Sequence, residues 1–181
     1  KYVIDAGDGD DTVGVDGIVT GNSVIRGGDG DDEIAVSIAT GVIEGGDGND
    51  QIEVGTSLHG VIDGGNGDDT IRVSNAMDST ILGGDGDDDI EVESSASLNL
   101  RRRKNGNYSV IDGGDGDDVI TVGSSSRTSI YGGGGNDTIS VSNARGTRID
   151  GGDGDDAINV DEARRSLIMG GDGSDTIAVN T

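Results

Sequence analysis

One six-residue phrase recurs nine times along this chain and constrains its fold more than any other feature. It reads Gly-Gly-x-Gly-x-Asp, starts at residues 6, 27, 45, 64, 83, 113, 132, 151 and 170, and is followed each time by a short Ile/Val run. The steps between starts are 21, 18, 19, 19, 30, 19, 19 and 19, so the unit is about 19 residues long. A period of this length marks a stacked array of like units rather than an ordinary globule.

Within the phrase some positions never vary. Position six is Asp11, Asp32, Asp50, Asp69, Asp88, Asp118, Asp137, Asp156 and Asp175. Position two is Gly7, Gly28, Gly46, Gly65, Gly84, Gly114, Gly133, Gly152 and Gly171, and position four is Gly9, Gly30, Gly48, Gly67, Gly86, Gly116, Gly135, Gly154 and Gly173. Position one is Ala6 in the first copy and then Gly27, Gly45, Gly64, Gly83, Gly113, Gly132, Gly151 and Gly170. Glycine is concentrated where a backbone must take positive φ or approach a ligand closely.

The residues around the phrase alternate with a period of two. Position eight is Ile (Val13 in the first copy), position ten is Val from Val15 to Val179, and an Ile stands two residues before every loop, from Ile4 to Ile168. That alternation is strand periodicity with one buried face. Each unit therefore reads as strand, plain turn, strand, glycine-aspartate loop. One unit cannot bury its own apolar face, so the expected fold is all-β: a right-handed parallel β-solenoid, or β-roll, of about nine coils. Nine coils at strand spacing run roughly 40 Å. Glycine-rich loops every 19 residues leave no room for helices.

Composition adds a requirement. Only 30% of residues are hydrophobic and 2% aromatic, Trp, Phe, Pro and Cys are absent, and the formal net charge is -24. Taken alone, so acidic and apolar-poor a chain reads as disordered. The repeat opposes that reading only if something neutralises the acid. Nine stacked loops leave eight gaps, and eight divalent cations would bring the charge from -24 to about -8. A tight glycine turn offers carbonyl oxygens and its aspartate a carboxylate. Such hard donors in a pliable cage suit Ca²⁺ better than Mg²⁺, which demands stricter geometry. With no Cys and a single His, zinc and copper lack a ligand set. Strong acidity disfavours nucleic acid and anionic membrane as partners, and no apolar stretch is long enough for membrane insertion.

The pattern Gly-Gly-x-Gly-x-Asp-x-Ile-x resembles the nonapeptide of the RTX (repeats-in-toxin, hemolysin-type) calcium-binding β-roll proteins, and it recurs in register along the whole chain. The resemblance implies one calcium ion between consecutive loops. Its ligands would be the carbonyls of positions two and four and the position-six Asp of one coil, with the carbonyls of positions one and three and the Asp of the next. For the first gap these are Gly7, Gly9 and Asp11 with Gly27, Asp29 and Asp32. The usual family coil carries the motif on both edges. Here one edge carries it, as in the 19-residue rolls of calcium-dependent bacterial adhesins, which implies a single ladder of about eight ions.

Positions three and five, mostly acidic, are expected to point away from the ion and to serve solubility and ion attraction. The 30-residue step holds an expected loop insertion at 94–108, with Arg101, Arg102, Arg103 and Lys104, on the edge opposite the calcium loops. Basic residues there and in plain turns, facing an acidic edge, would favour self-association. His59 falls in a plain turn and reads as a solvated side chain. An aspartate repeated identically in every coil argues for a structural task rather than a catalytic site, so no enzyme activity is expected. The chain starts and stops in mid-pattern without the polar caps a solenoid needs, which reads as a piece of a longer chain. The functional expectation is a calcium-dependent spacer in a secreted or cell-surface bacterial protein (adhesin, surface-layer or filament subunit, or toxin), disordered where calcium is scarce and folding after export. The alternatives are an accessory module of an extracellular protease, lipase or epimerase, and an ice- or mineral-binding surface.

Overall fold

The computed structural model describes residues 1–96 and 109–180. Two strands per repeat, built on the period-two pattern, give eighteen among the described residues. The strands entering each loop are β1 (Val3–Asp8), β3 (Val24–Asp29), β5 (Val42–Asp47), β7 (Val61–Asn66), β9 (Thr80–Asp85), β11 (Ser109–Asp115), β13 (Thr128–Gly134), β15 (Arg148–Asp153) and β17 (Leu167–Asp172). Those leaving it are β2 (Thr12–Val19), β4 (Glu33–Ala39), β6 (Gln51–Leu58), β8 (Thr70–Met77), β10 (Asp89–Ala96), β12 (Val119–Ser126), β14 (Thr138–Arg145), β16 (Ala157–Arg164) and β18 (Thr176–Val179). Each set forms one nine-stranded sheet in which every strand pairs with the strand two further along the chain. All pairings are parallel. The chain is thus a β-solenoid of nine coils with its loops on one edge and its plain turns on the other. Among the described residues no helix is long and apolar enough to cross a membrane.

Register follows the repeat. Ile43, Ile62 and Ile81 are direct partners in one sheet, and Ile52, Ile71 and Ile90 in the other. All six are 0% exposed. The Val column beside them, Val36, Val54, Val73, Val92, Val122, Val141 and Val160, is buried as well. These columns form the only hydrophobic cluster among the described residues, a core one side chain deep from each sheet.

Toward the plain-turn edge the core narrows, and small or hydroxylated residues replace Ile and Val. Val19, Ala39, Ser57, Ala76, Ser95, Ser125 and Ala144 form one buried column, and Ser23, Ser79, Ser109, Thr128 and Thr147 line the facing turn. Their hydroxyls meet one another: Ser57 Oγ donates to Ser79 Oγ at 3.0 Å, Ser95 and Thr128 lie 3.2 Å apart, and Ser125 and Thr147 3.0 Å apart. Buried hydroxyls need such partners. The turns also contain residues with left-handed backbones, His59 (φ 55°), Asp78 (48°), Arg127 (54°), Gly146 (62°) and Arg165 (56°). Only one of these is the glycine that this conformation favours.

The irregular steps are absorbed away from the loops. In the 21-residue step β2 shifts register against β4 by one residue between Val15 and Ile18, a bulge, and the turn between Val19 and Val24 is two residues longer than its counterpart between Ala39 and Val42. In the 30-residue step Ser94, Ser95 and Ala96 complete β10, paired with Asn75–Met77 on one side and Ser124–Ser126 on the other. The rest of the expected insertion at 94–108, with Arg101 to Lys104, lies outside the described residues.

Truncating a column residue opens a hole that both neighbouring coils share. Ile90→Ala is expected to lose about 2–5 kcal/mol, whereas truncation of Ile18, 56% exposed on the bulge, is expected to change stability by no more than about 0.5 kcal/mol. Chemical denaturation of the two variants checks this.

Candidate metal centre

The loop edge is built on backbone conformations that side chains resist. Every position-two and position-four glycine has φ between 103° and 137°. The coils also stack too closely there for a Cβ. One placed on Gly114 would strike the carbonyl oxygen of Gly84 in the coil below, and one on Gly27 would strike Asp32 Oδ2 and crowd the Gly45 carbonyl oxygen. The same collision with the own-coil aspartate recurs at Gly45, Gly64, Gly83, Gly113, Gly132 and Gly151. Position one is therefore glycine because its side-chain space already holds a carboxylate oxygen of its own coil and a carbonyl oxygen of the next.

Each position-six aspartate reaches two ways. Its Oδ1 accepts the backbone N–H of the corresponding aspartate in the preceding coil: Asp11 N–H to Asp32 at 2.7 Å, Asp32 to Asp50 at 2.8 Å, Asp69 to Asp88 at 2.8 Å, Asp156 to Asp175 at 3.1 Å. The bond from Asp88 N–H to Asp118 Oδ1, 2.8 Å, spans the 30-residue step, so the ladder passes that step unbroken, as expected. The other oxygen, Oδ2, is buried without a hydrogen-bond partner in Asp32, Asp50, Asp69, Asp88, Asp118, Asp137 and Asp156. These seven residues are at most 3% exposed. Asp11 and Asp175, in the first and last coils, are less buried.

Burial has the electrostatic consequence expected of such carboxylates. Desolvation pushes Asp50, Asp88 and Asp137 up to about 6 and Asp69 and Asp118 up to about 7, against the opposing effect of the N–H each accepts. Repulsion between neighbouring aspartates adds to the rise, and Asp156 moves in the same direction for the same reasons. A row of ionised carboxylates here requires positive charge close by.

Carbonyls supply the remaining donors in each gap. Those of positions two and four face the glycines of the coil above. The position-three carbonyl accepts the position-four N–H of the coil below, as in Gly9 N–H to Asp29 at 2.6 Å and Gly86 N–H to Asp115 at 2.7 Å, and keeps a second lone pair. Among the described residues no three His, Cys, Asp or Glu side chains converge. A cation in these gaps would be held by carboxylate oxygens and several carbonyls, an all-oxygen set suited to Ca²⁺. The donor set fits the ion that the sequence requires.

Two features escaped the sequence reading. Position five was expected to point away as bulk charge, but its Oδ1 is bonded to the backbone of the next loop, Asp87 N–H to Asp68 at 3.0 Å and Asp117 N–H to Asp87 at 2.8 Å among others. The signal was present in the sequence: all eight acceptors are Asp or Asn. His59 is mainly exposed, as expected, but its ring lies 3.6 Å from Asp78 of the next coil, at the plain-turn edge and not among the loops.

The model of the RTX calcium-binding nonapeptide repeat matches residues 20–36, 42–57, 61–75, 108–128, 129–143, 148–164 and 165–180, together more than half of the chain. No curated protein and no solved structure matches it.

Loop closeness can be tested by adding a single methyl group. Gly114→Ala meets backbone at positive φ and is expected to break the stack between two coils, with loss of the cooperative unfolding transition. Gly134→Ala, in the same sheet but with only Asp115 Oδ1 at 3.4 Å nearby and no positive φ, is expected to keep it. Circular dichroism melts of the two variants distinguish these outcomes.

Proposed function

The chain belongs to the RTX calcium-binding nonapeptide repeat family, and from that premise we propose that it is a structural spacer of a secreted or cell-surface bacterial protein whose coils are held together by a single row of about eight calcium ions. The observation that carries this reading is the row of seven buried Oδ2 atoms without a partner, each beside a carbonyl of the next loop. Calcium supplies the positive charge that makes these oxygens stable when ionised.

The residues divide the work. Glycines at positions two and four turn carbonyls into the gap, and glycine at position one leaves room for the carboxylate. The position-six aspartate uses Oδ1 to hold the preceding loop and Oδ2 to meet the cation. For the first gap the proposed ligands are the carbonyls of Gly7, Gly9, Gly27 and Asp29 with the carboxylates of Asp11 and Asp32, and the set repeats down the edge. Because the task is the same in every coil, the role is structural and not catalytic.

Magnitudes explain how calcium could switch the fold. One site at a hundred times its dissociation constant adds about 2.7 kcal/mol, and eight such sites about 20 kcal/mol, against the ~5–15 kcal/mol of a typical domain. A chain with so thin a core would be unfolded where calcium is scarce and folded where it is plentiful, which suits export in the unfolded state. The exposed Arg145, Arg164 and Arg165 at the plain-turn end, opposite the acidic loop edge, support the further proposal of side-by-side self-association, read out as salt-sensitive dimerisation in sedimentation.

Chelation tests the reading directly. Excess chelator is expected to abolish the β signal in circular dichroism, calcium to restore it cooperatively, and magnesium at equal concentration not to restore it. A chelated chain with an unchanged spectrum and melting temperature overturns the proposal. Protons should compete with the metal. Without a cation the folded state binds protons on Asp50, Asp69, Asp88, Asp118 and Asp137 more tightly than the unfolded chain does, so their contribution is fully present below the ordinary carboxylate range and is lost as pH rises through 6 to 7. Calcium binds the ionised form and acts in the opposite sense. The calcium midpoint is expected to rise steadily as pH is lowered from about 7.5 to about 5.5.

A further inference from the structure

The position-five side chains form a second ladder that runs against the first. Asp31 N–H donates to Asp10 Oδ1 at 3.1 Å, Asn49 N–H to Asp31 at 2.8 Å, and Asp68 N–H to Asn49 at 2.8 Å. The series continues with Asp87 to Asp68 at 3.0 Å, Asp117 to Asp87 at 2.8 Å, and Asn136 to Asp117 at 2.6 Å. It closes with Asp155 to Asn136 at 2.9 Å and Ser174 to Asp155 at 2.8 Å. In this ladder a side chain grips the loop that follows it, whereas at position six it grips the loop that precedes it. Each loop is therefore tied to both neighbours by adjacent residues pulling in opposite directions along the stack.

Charge is not what this bond uses. Asn49 and Asn136 accept the N–H through an amide oxygen with the same geometry as their aspartate neighbours. Position three provides the contrast: it is Gly134 in one coil and Asn66 in another, and Asn66 Nδ2 donates to Asp47 Oδ1 at 2.6 Å, side chain to side chain rather than to backbone. A row of like charges one strand apart is repulsive, so ionised aspartates at position five oppose stacking even as their oxygens promote it.

We propose that the position-five residues Asp10, Asp31, Asn49, Asp68, Asp87, Asp117, Asn136 and Asp155 are positioning residues of the loop edge, required for an acceptor oxygen on Cγ and not for negative charge. They fix the spacing and tilt of successive loops and so the width of the gap that the carbonyls and the position-six carboxylate share. This rests on the calcium reading for its functional meaning but not for its geometry.

Two triple variants separate an acceptor from a charge. One replaces Asp68, Asp87 and Asp117 by Ala, the other replaces the same three by Asn. In the calcium-loaded protein, the amides of residues 87, 117 and 136 are expected to exchange at least about tenfold faster in the Ala variant, with a fall in melting temperature of about 5–10 °C and a calcium midpoint about twofold higher. The Asn variant, which keeps the acceptors and sheds three repelling charges, is expected to show at least the parent's protection and melting temperature. An Asn variant that behaves like the Ala variant, or an Ala variant whose three amides remain protected, overturns the proposal. Failure of the calcium reading looks different: the parent itself then folds without the ion, and amide exchange in that folded parent and its variants still decides whether the ladder exists.

Discussion

A carboxylate oxygen sealed from water, with no donor pointing at it, is a costly thing to build once, and here it is built seven times in a row. The rest of the structure accommodates that row. Glycine at position one vacates its side-chain space for it, glycine at position two lets the coils approach to strand spacing along the loop edge, and the Ile and Val columns behind it keep the coils in register. The core, one side chain deep from each sheet, can align the coils but has little apolar area to spare for offsetting aligned carboxylates. Alignment by packing and neutralisation by a cation are complementary: the first creates the electrostatic problem that the second removes.

The fold and the loop edge were legible in the sequence because both are written as columns. An Ile at position eight and another two residues before each loop can be read by counting, and each column is buried as counted except at its ends, where Ile4 and Ile168 are partly buried and Ile177 is exposed. The invariant aspartate was equally visible, although its division into one oxygen for the preceding N–H and one for the gap is a matter of geometry that spacing cannot state. The position-five ladder is harder to see, because Asp on a surface is usually solvated charge and an acceptor role shows only as the restriction of these positions to Asp and Asn. The turns were harder for a physical reason. His59, Asp78, Arg127 and Arg165 adopt left-handed backbones that their side chains do not advertise. Of the extra residues of the first long step, one forms a bulge in β2 and the others lengthen its turn, which only pairing reveals.

The two edges of the solenoid solve the same problem with different chemistry. On the loop edge, tight turns are made from glycine and the polar atoms they expose are carbonyls and carboxylates directed at a cation. On the plain-turn edge, a single left-handed residue turns the chain at His59, Asp78, Arg127, Gly146 and Arg165, and short hydroxyl side chains satisfy one another inside. The second edge varies in length and composition from coil to coil without disturbing the ladder opposite, as the bond from Asp88 to Asp118 across the 30-residue step illustrates.

A chain of near-identical coils can be threaded wrongly, since moving one coil along by a whole repeat leaves every Ile and Val above another Ile or Val. The buried hydroxyls oppose that move. Ser57 meets Ser79, Ser95 meets Thr128 and Ser125 meets Thr147, whereas the equivalent place is alanine at Ala39, Ala76 and Ala144. A mis-threaded coil would exchange these hydroxyl–hydroxyl contacts for hydroxyl–methyl ones, leaving each hydroxyl a turn carbonyl of the kind Ser79 Oγ already uses at Met77. The narrow end of the core thus differs from coil to coil where the Ile and Val columns do not, and it favours the native order in a stack otherwise built from interchangeable parts.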